Sequence, residues 1–584
     1  MPDPPNATIA ALLDELGDLY ELDGAVVHRV LAYRNAAKAV REAPRSVAAM
    51  TRAGTVTELP GIGRTLEEKL NALLETGTIP AVEKLRAKFP PGLIDLTRLP
   101  GLGPKRARRL YDELGIDSLG ALRDAAETGR LRTVRGFGPK FEEQVLASFA
   151  AGIAEKPRPR VLLSRALPIA DGIVEALRAH PASDRVELAG SARRLADSVK
   201  DLDIIATASD PPALLRAFAE LDVIEEASFG ENGPQNAARG RTHTGMPVDL
   251  RVVEPDQFGN LLQHFTGSKA HNVALREAAV RRGLHVSEYG VLDDATGHTQ
   301  RCAAEEEVYT LLGLPWIPPE LREGRGELAL RDGEVPHLIE PGDLRGDLHM
   351  HTVASDGRAT IEQMARAARD RGLEYIAITD HSATHGFGNH VTADDLRRQI
   401  ERVREVDAAM DDLVVLVGTE ANILPDGGLD YPDDLLAELD WVIASVHTAF
   451  GMDIKAMTDR IVAAIEHPWV DAIGHLTGRK IEQRPGYAVE VDRVVEAAAR
   501  TGTMLEINSA PDRRDLDDVH ARQAKEAGVR IIIDSDAHST GNLALTRWGI
   551  ATARRAWLTK DDVANTRPWD EFAALRKRAA RSAA

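Results

Sequence analysis

The stretch Arg345-Gly-Asp-Leu-His-Met-His351 combines a short β-like run with two histidines set two residues apart. Six runs of the same kind follow: YIAITDH (375–381), LVVLVGTE (413–420), WVIASVH (441–447), AIGHL (472–476), MLEINS (504–509) and RIIIDSDAH (530–538). Helix-like sequence separates each from the next. This alternation predicts a parallel sheet or barrel. Every run ends in His, Asp or Glu, or carries one near its end. Active sites of (β/α) barrels lie at the C-terminal ends of the strands. Seven such strands predict a distorted (β/α) barrel with one strand fewer than usual.

Residues two apart on a strand share a face, so His349 and His351 point the same way. Asp356, His381, Glu420, His447, His475, Asp536 and His538 follow as further candidate ligands. A single buried histidine is ordinarily a hydrogen-bonded core residue. Five strand ends carrying histidine beside carboxylates are hard to explain as packing. Mixed imidazole and carboxylate donors suit Zn²⁺, Mn²⁺ or Fe²⁺. Nine candidates exceed the needs of one ion, so two or three ions are expected. Arg479 is open to two readings, a phosphate contact or a structural ion pair. His385 and His390 fall outside the ligand pattern, as substrate contacts or solvated loop residues.

The chain has 584 residues, enough for three to five domains at about 100–200 residues each. With 43% hydrophobic and 28% charged residues it is neither disordered nor fibrous. It has no apolar run long enough for a membrane span and no basic stretch leading into an apolar signal segment. Cys302 is the sole cysteine, which excludes an internal disulfide and any cysteine-rich zinc module. A reducing cytoplasm fits. The net charge of −19 excludes a uniformly basic, nucleic-acid-coating surface. The charge is uneven, however. Residues 1–160 hold 24 Lys+Arg and 21 Asp+Glu, hence +3, which leaves −22 for the remainder. Ten of the 18 histidines lie beyond residue 344. These asymmetries point to a DNA-facing N-terminal part and a metal-rich C-terminal part.

Residues 8–155 read as helices punctuated by Gly and Pro. A short motif recurs there: Leu59-Pro-Gly-Ile-Gly63, Leu99-Pro-Gly-Leu-Gly103 and, more loosely, Val134-Arg-Gly-Phe-Gly138. Gly61, Gly63, Gly101, Gly103, Gly136 and Gly138 let backbone approach a phosphate with no Cβ in the way. The helix after each motif presents free N–H groups to that phosphate. Such contacts position DNA without reading sequence. A helix–turn–helix corner would also use glycine, but three copies favour DNA. Lys105, Arg106, Arg108 and Arg109 follow the second motif as candidate phosphate contacts. EKPRPR (155–160) and the stretch 316–343 read as linkers.

Between the linkers, Gly190-Ser-Ala-Arg-Arg-Leu-Ala-Asp-Ser-Val-Lys-Asp-Leu-Asp203 is the most informative segment. Asp201 and Asp203 face the same side of a strand. Adjacent carboxylates repel unless cations separate them. Asp249, from a neighbouring strand, offers a third. Three converging carboxylates can hold two Mg²⁺ for in-line phosphoryl transfer. Gly190 and Ser191 offer a backbone N–H and a hydroxyl to a triphosphate, and Arg194 offers a bidentate donor.

These residues resemble the palm motif of family X DNA polymerases, the polymerase beta-like enzymes. A thumb motif is similar too: His264-Phe-Thr-Gly-Ser-Lys-Ala-His-Asn272, then Arg276 and Glu288-Tyr289. The likeness extends to an N-terminal lyase-type domain through His28-Arg-Val-Leu-Ala-Tyr33-Arg34. It implies that Asp201, Asp203 and Asp249 bind two Mg²⁺ or Mn²⁺. It also implies that Gly190, Ser191, Arg194, Phe265, Gly267, Lys269 and Asn272 surround the incoming dNTP, with Arg276 near the template. His28, Arg29 and Tyr33 would meet DNA. Lys69 falls where the family places its Schiff-base lysine for abasic-site lyase chemistry. The sequence departs from polymerase beta at His264 and Lys269, where that enzyme has Tyr and Asp, and Thr65 replaces a lysine beside the lyase position.

The nine C-terminal ligands resemble the PHP (polymerase and histidinol phosphatase) domain. That likeness implies up to three Mn²⁺ or Zn²⁺ ions and phosphoester hydrolysis, as a 3′–5′ exonuclease with related abasic-site cleavage. The expected architecture is a lyase-type helix-hairpin-helix domain (1–90), helix-hairpin-helix fingers (91–155), an α+β nucleotidyltransferase palm (156–250), a thumb (251–315), a linker (316–343) and the PHP barrel (344–584). The implied protein is a cytoplasmic, monomeric repair enzyme acting on gapped or primer–template DNA. The rival readings are a DNA-tethered phosphoesterase with an inactive polymerase and a non-catalytic DNA-end scaffold. Two complete ligand sets speak against both.

Overall fold

A computed structural model describes residues 3–97, 99, 102–150, 160–229, 236–386 and 388–582. Gly101 and residues 155–159 of the first expected linker lie outside them. The chain forms two compact units. One comprises Met1–Pro159, Ile169–Glu187 and Lys200–Val253; the other comprises Arg160–Pro168, Leu188–Val199 and Glu254–Ala584. The stretch expected as palm is therefore shared between the two. None of the described helices is long and apolar enough to cross a membrane.

The first unit opens with short helices. Asn6–Leu22 and Val27–Glu42 bury Leu13, Leu16, Ala36 and Val40 at helical spacing. The glycine motifs sit at helix starts. Gly63 caps Arg64–Thr76, Gly103 caps Pro104–Leu114 with Pro104 in the first turn, and Gly138 precedes Pro139–Ala150. Gly61 and Gly136 have φ of +80° and +93°, which explains glycine at those two positions by conformation alone. The unit also holds most of a five-stranded sheet. Its strand Leu202–Ala208 runs parallel to Pro247–Val252, and Asp203 lies directly opposite Asp249.

The second unit is dominated by the expected barrel. Seven parallel strands stand in sequence order: Gly346–Asp347, Tyr375–Ile378, Val414–Asn422, Trp441–Ser445, Ala472–Ile473, Met504–Asn508 and Ile531–Asp534. A parallel bridge between Met350 and Ala537 brings the continuation of the last strand against the first. Trp441–Ser445 and Ile531–Asp534 are buried throughout, as strands covered on both faces must be. Capping boxes at Thr360–Gln363 and Thr392–Asp395 start two of the surrounding helices. At the N-terminal ends of the strands, Phe572 from helix Trp569–Ala573 is fully buried and stacks on Tyr375.

Residues 316–343 are not the loose linker the composition predicts. Ile317, Leu321, Leu338 and Ile339 are buried, and so are the charged Glu320, Arg322 and Glu327. The polar composition conceals apolar anchors spaced along the segment, and the charges find partners inside the fold.

Candidate metal centre and nucleotide-binding loops

The barrel gathers all nine predicted ligands at the C-terminal ends of its strands. Glu420 lies at the middle. Its Oε1 is 3.0 Å from His475 Nε2 and 3.1 Å from His447 Nε2, and its Oε2 is 2.8 Å from His381 Nδ1 and 3.4 Å from His349 Nε2. Asp536 Oδ1 lies 3.1 Å from His351 Nε2 and 3.7 Å from both His349 Nε2 and His538 Nδ1. Asp356 completes the set, 3.3 Å from His538 Nε2 and 3.7 Å from His381 Nε2. Ligand atoms fall within 4.8 Å of one another in three groups: His351, Asp356, His381 and His538; His349, His351 and Asp536; His381, Glu420 and His447. His475 and Asp536 have φ of +25° and +51°. Such values are strained for residues with a Cβ, and here both occur at ligand positions.

The electrostatics follow from burial opposed by close pairing. Burial disfavours a charged His349, yet Glu506, Glu420 and Asp536 outweigh it and hold its pKa well above the usual range. Burial also opposes ionisation of Glu420, but His447, His381 and His349 keep its pKa well below the ordinary value. His351 is pushed down to about 4 by burial and His381, and His475 to about 3 by burial and Arg513. Glu420 and Asp536 are thus carboxylates and His351 and His475 neutral imidazoles, the states that bind metal, whereas His349 is held charged and would give up its proton on binding an ion.

The donor set fits the implied ions. Glu420 Oε2, His349 Nε2, His351 Nδ1 and His475 Nδ1 are fully buried and lack a hydrogen-bond partner in good geometry among the described residues. Buried polar atoms are costly in that state and are suited to an ion.

One important residue escaped the sequence reading. Glu506 is fully buried, and its Oε1 lies 2.6 Å from His349 Nδ1. Its Oε2 accepts the backbone N–H of His475 at 2.6 Å. A carboxylate behind a ligating imidazole fixes which nitrogen faces the metal. The signal was a lone Glu inside the apolar run MLEIN. Asn508 has a similar part, donating to Asp536 Oδ2 at 3.0 Å.

The open readings also resolve. Arg479 is a structural ion pair: it reaches Asp197 at 2.8 Å and donates to the carbonyls of Arg513 and Arg514. His385 is buried and stacks on His381 with centroids 4.5 Å apart, whereas His390 is exposed in the same loop.

In the sheet of the first unit, Asp203 and Asp249 are register partners, and Asp201 lies exposed immediately before the strand. Asp249 Oδ1 pairs with Arg239 Nε at 3.2 Å. Among the described residues these three carboxylates do not form a grouping as tight as those of the barrel.

The nucleotide-binding candidates of the second unit are well ordered by hydrogen bonds. Gly190 has φ of +64° and begins the short helix Gly190–Arg193, with Ser191 half-buried. Arg194 pairs with Glu323 and donates to the Thr266 carbonyl. Asn272 donates to the His264 carbonyl and accepts from Gln263. Phe265 is half-buried, Lys269 is exposed at the start of helix Lys269–Val280, and Arg276 is exposed beside His264. Gly267 is needed for a close approach: a Cβ there would lie 3.2 Å from Arg194 Nη1, and its φ is +68°.

The DNA candidates divide. Among the described residues, a Cβ at Gly63, Gly103 or Gly138 would meet no atom within 4 Å beyond its chain neighbours. Internal packing therefore does not require glycine there, and the bare backbone is open to an outside group. Lys105 is exposed, but Arg106 lies over the rings of Phe137 and Phe141 and donates to the Gly136 carbonyl, tying the second motif to the third. His28 and Arg29 are exposed, whereas Tyr33 is buried and stacked on Tyr20. Lys69 is half-buried on helix Arg64–Thr76.

Four family models match in order along the chain: a helix-hairpin-helix domain at residues 4–79, a SAM-like helix-hairpin-helix tandem at 93–150, the DNA polymerase beta thumb at 261–323, and the PHP domain at 347–510. The chain is 38% identical over 571 residues to "DNA polymerase/3'-5' exonuclease PolX" of Bacillus subtilis (strain 168), covering 98% of this chain and 99% of that protein. Part of the chain has a second set of relatives. A "Probable phosphatase" of Thermoanaerobacter sp. (strain X514) is 34% identical over 238 residues, covering 38% of this chain and 89% of that protein. Another of Acetivibrio thermocellus is 32% identical over 208 residues, covering 33% of this chain and 78% of that protein. With helix-hairpin-helix modules, a polymerase beta-type thumb and a metal-ligand barrel in one chain, matched end to end by such a relative, this protein belongs to the PolX family, the family X DNA polymerases that carry a C-terminal PHP domain.

Proposed function

We propose that the chain fills short gaps in DNA by template-directed nucleotide addition and trims 3′ ends in its barrel. The observation that carries the second activity is the convergence of six histidines on Glu420, Asp536 and Asp356. Ions held there would activate a water, orient the scissile phosphate and stabilise the leaving oxygen. Three ligand groups leave room for up to three ions, Mn²⁺ or Zn²⁺ by donor type. Glu420 reaches histidines from four strand ends and so ties the groups together; Glu506 orients His349 and His475.

For polymerisation, Asp203 and Asp249 side by side on parallel strands, with Asp201 one step earlier, are the carboxylates for two Mg²⁺ or Mn²⁺. Gly190, Ser191 and Arg194 take the triphosphate, and the thumb residues Phe265, Gly267, Lys269 and Asn272 complete the nucleotide site. The open glycine backbones at 63, 103 and 138 hold DNA phosphates at helix N-termini. The substrate is gapped or primer–template DNA, the nucleotides are dNTPs, and the working form is a cytoplasmic monomer. Abasic-site lyase action through Lys69 is the family's expectation; borohydride trapping on an abasic substrate tests it.

The deciding experiment places purified protein on a 5′-labelled gapped primer–template with Mn²⁺. Extension with dNTPs and shortening without them are expected. Shortening alone would leave a DNA-tethered phosphoesterase, and neither would leave a scaffold.

A further inference from the structure

The loop that carries Gly190, Ser191 and Arg194 is fastened to the barrel. Arg194 keeps only 13% of its side chain exposed. Its Nε donates to Glu323 Oε1 at 3.0 Å and its Nη1 to the Thr266 carbonyl. A guanidinium has five N–H donors in a rigid plane. Bonds from Nε and Nη1, on different edges of the group, fix that plane, and among the described residues the Nη2 donors are left for a ligand. Glu323 is itself gripped by Arg555, at the end of the barrel helix Thr546–Arg555, at 2.7 Å. Arg555 also donates to the backbone carbonyl of Arg194 at 2.9 Å and pairs with Asp518 at 2.9 Å.

A second clamp follows three residues along. Asp197 pairs with Arg514 at 3.2 Å and with Arg479 at 2.8 Å. Arg514, fully buried, donates to the Leu195 carbonyl at 3.1 Å. Leu195 has φ of +56°, a left-handed value that persists only where surrounding bonds over-determine it.

None of these barrel residues is a metal-ligand candidate. If the contact served adhesion alone, apolar packing would do as well, because burying several ion pairs incurs a large desolvation penalty. What ion pairs add is orientation. A carboxylate whose Oε1 is also held by a second arginine pins Arg194 Nε while leaving the guanidinium charged.

We propose that Glu323 and Arg555 are positioning residues of the nucleotide site. They hold Arg194 in the orientation in which it receives the triphosphate of an incoming nucleotide. The barrel thus supports polymerisation through a contact separate from its own metal ligands. This rests on Arg194 as a triphosphate ligand, the reading given above.

The test is gap-filling kinetics of the full chain with Glu323→Gln, Arg555→Ala, Arg555→Lys and, as reference, Arg194→Ala. Glu323→Gln and Arg555→Ala should raise the dNTP KM about tenfold, the scale of one bond to a charged group, with kcat within about twofold. Arg555→Lys should recover part of the loss. Hydrolysis of a small phosphoester and bound metal should stay at wild-type levels. Glu323→Gln preserves shape and carries the test if Arg555→Ala does not fold. An unchanged dNTP KM in folded Glu323→Gln, beside a raised one in Arg194→Ala, would overturn the inference and spare the nucleotide-site reading. An unchanged KM in Arg194→Ala would overturn that reading and the inference with it. A KM rise accompanied by lost phosphoesterase activity would signal general damage and also overturn the inference.

Discussion

Replacing Glu305 with Gln tests how the fold carries charge in its interior. Glu305 is almost fully buried in the first turn of helix Glu305–Leu311. It receives both Nη groups of Arg193 at 2.8 and 3.0 Å, Arg322 at 2.5 Å and the indole N–H of Trp316 at 3.0 Å. Burial alone would raise its pKa, but Arg322 and Arg193 outweigh it and bring the group from the ordinary 4.5 down to about 2. That depression corresponds to about 3 kcal/mol of stability, a tenfold change in the ionisation equilibrium being about 1.4 kcal/mol. That agrees with the roughly 3–5 kcal/mol lost when one partner of a buried ion pair is removed. Because the folded pKa is depressed, this stabilisation is complete above about pH 4.5 and disappears as pH falls toward 2. Urea unfolding at pH 7 followed by tryptophan fluorescence should show Glu305→Gln less stable by about 3 kcal/mol, and the gap should narrow steadily between pH 4.5 and 3. A loss under about 1 kcal/mol at pH 7, or a gap that stays constant through acid, would refute the reasoning.

Three further outcomes are expected. Asp203→Asn should reduce nucleotide addition about a thousandfold while DNA affinity in a gel-shift assay stays near wild type, since phosphate contacts come from other residues. His447→Ala should lower bound metal by elemental analysis and slow 3′-end degradation at least about a hundredfold, with gap filling preserved. Gly103→Ala, whose Cβ would meet no atom of the described residues within 4 Å beyond its chain neighbours, should leave the melting temperature unchanged yet weaken DNA binding on every sequence, and adding Lys105→Ala should flatten the salt slope by about one.

The candidate metal centre was legible because eight of its nine candidate ligands stand at or near the ends of six apolar runs, where topology alone brings strand ends together. The order of the seven strands followed from the same pattern. Glu506 was passed over because it lies within a run rather than at its end, and its role depends on what faces it across the barrel. The strap 316–343 was misread because its anchors are too widely spaced to show periodicity. Arg106 and Tyr33 were read as DNA contacts from position in a motif. Only packing reveals that one lies across Phe137 and Phe141 and the other beneath Tyr20. Arg194 belongs to the same class: sequence marks it as a donor, but the carboxylate that orients it comes from 129 residues away.

The bridge between Met350 and Ala537 has a consequence for biosynthesis. The metal centre draws His349 and His351 from the first strand of the barrel and Asp536 and His538 from just beyond the last, and Phe572 seals the opposite end. A ribosome delivers these pieces almost two hundred residues apart. A chain that stops short of His538 therefore cannot assemble this centre, whereas the helix-hairpin-helix modules are complete within the first 150 residues. A nascent or prematurely terminated chain would hold DNA before it could cut it, so the destructive activity arises late, only in molecules whose synthesis has passed the last ligands and the helix that carries Phe572.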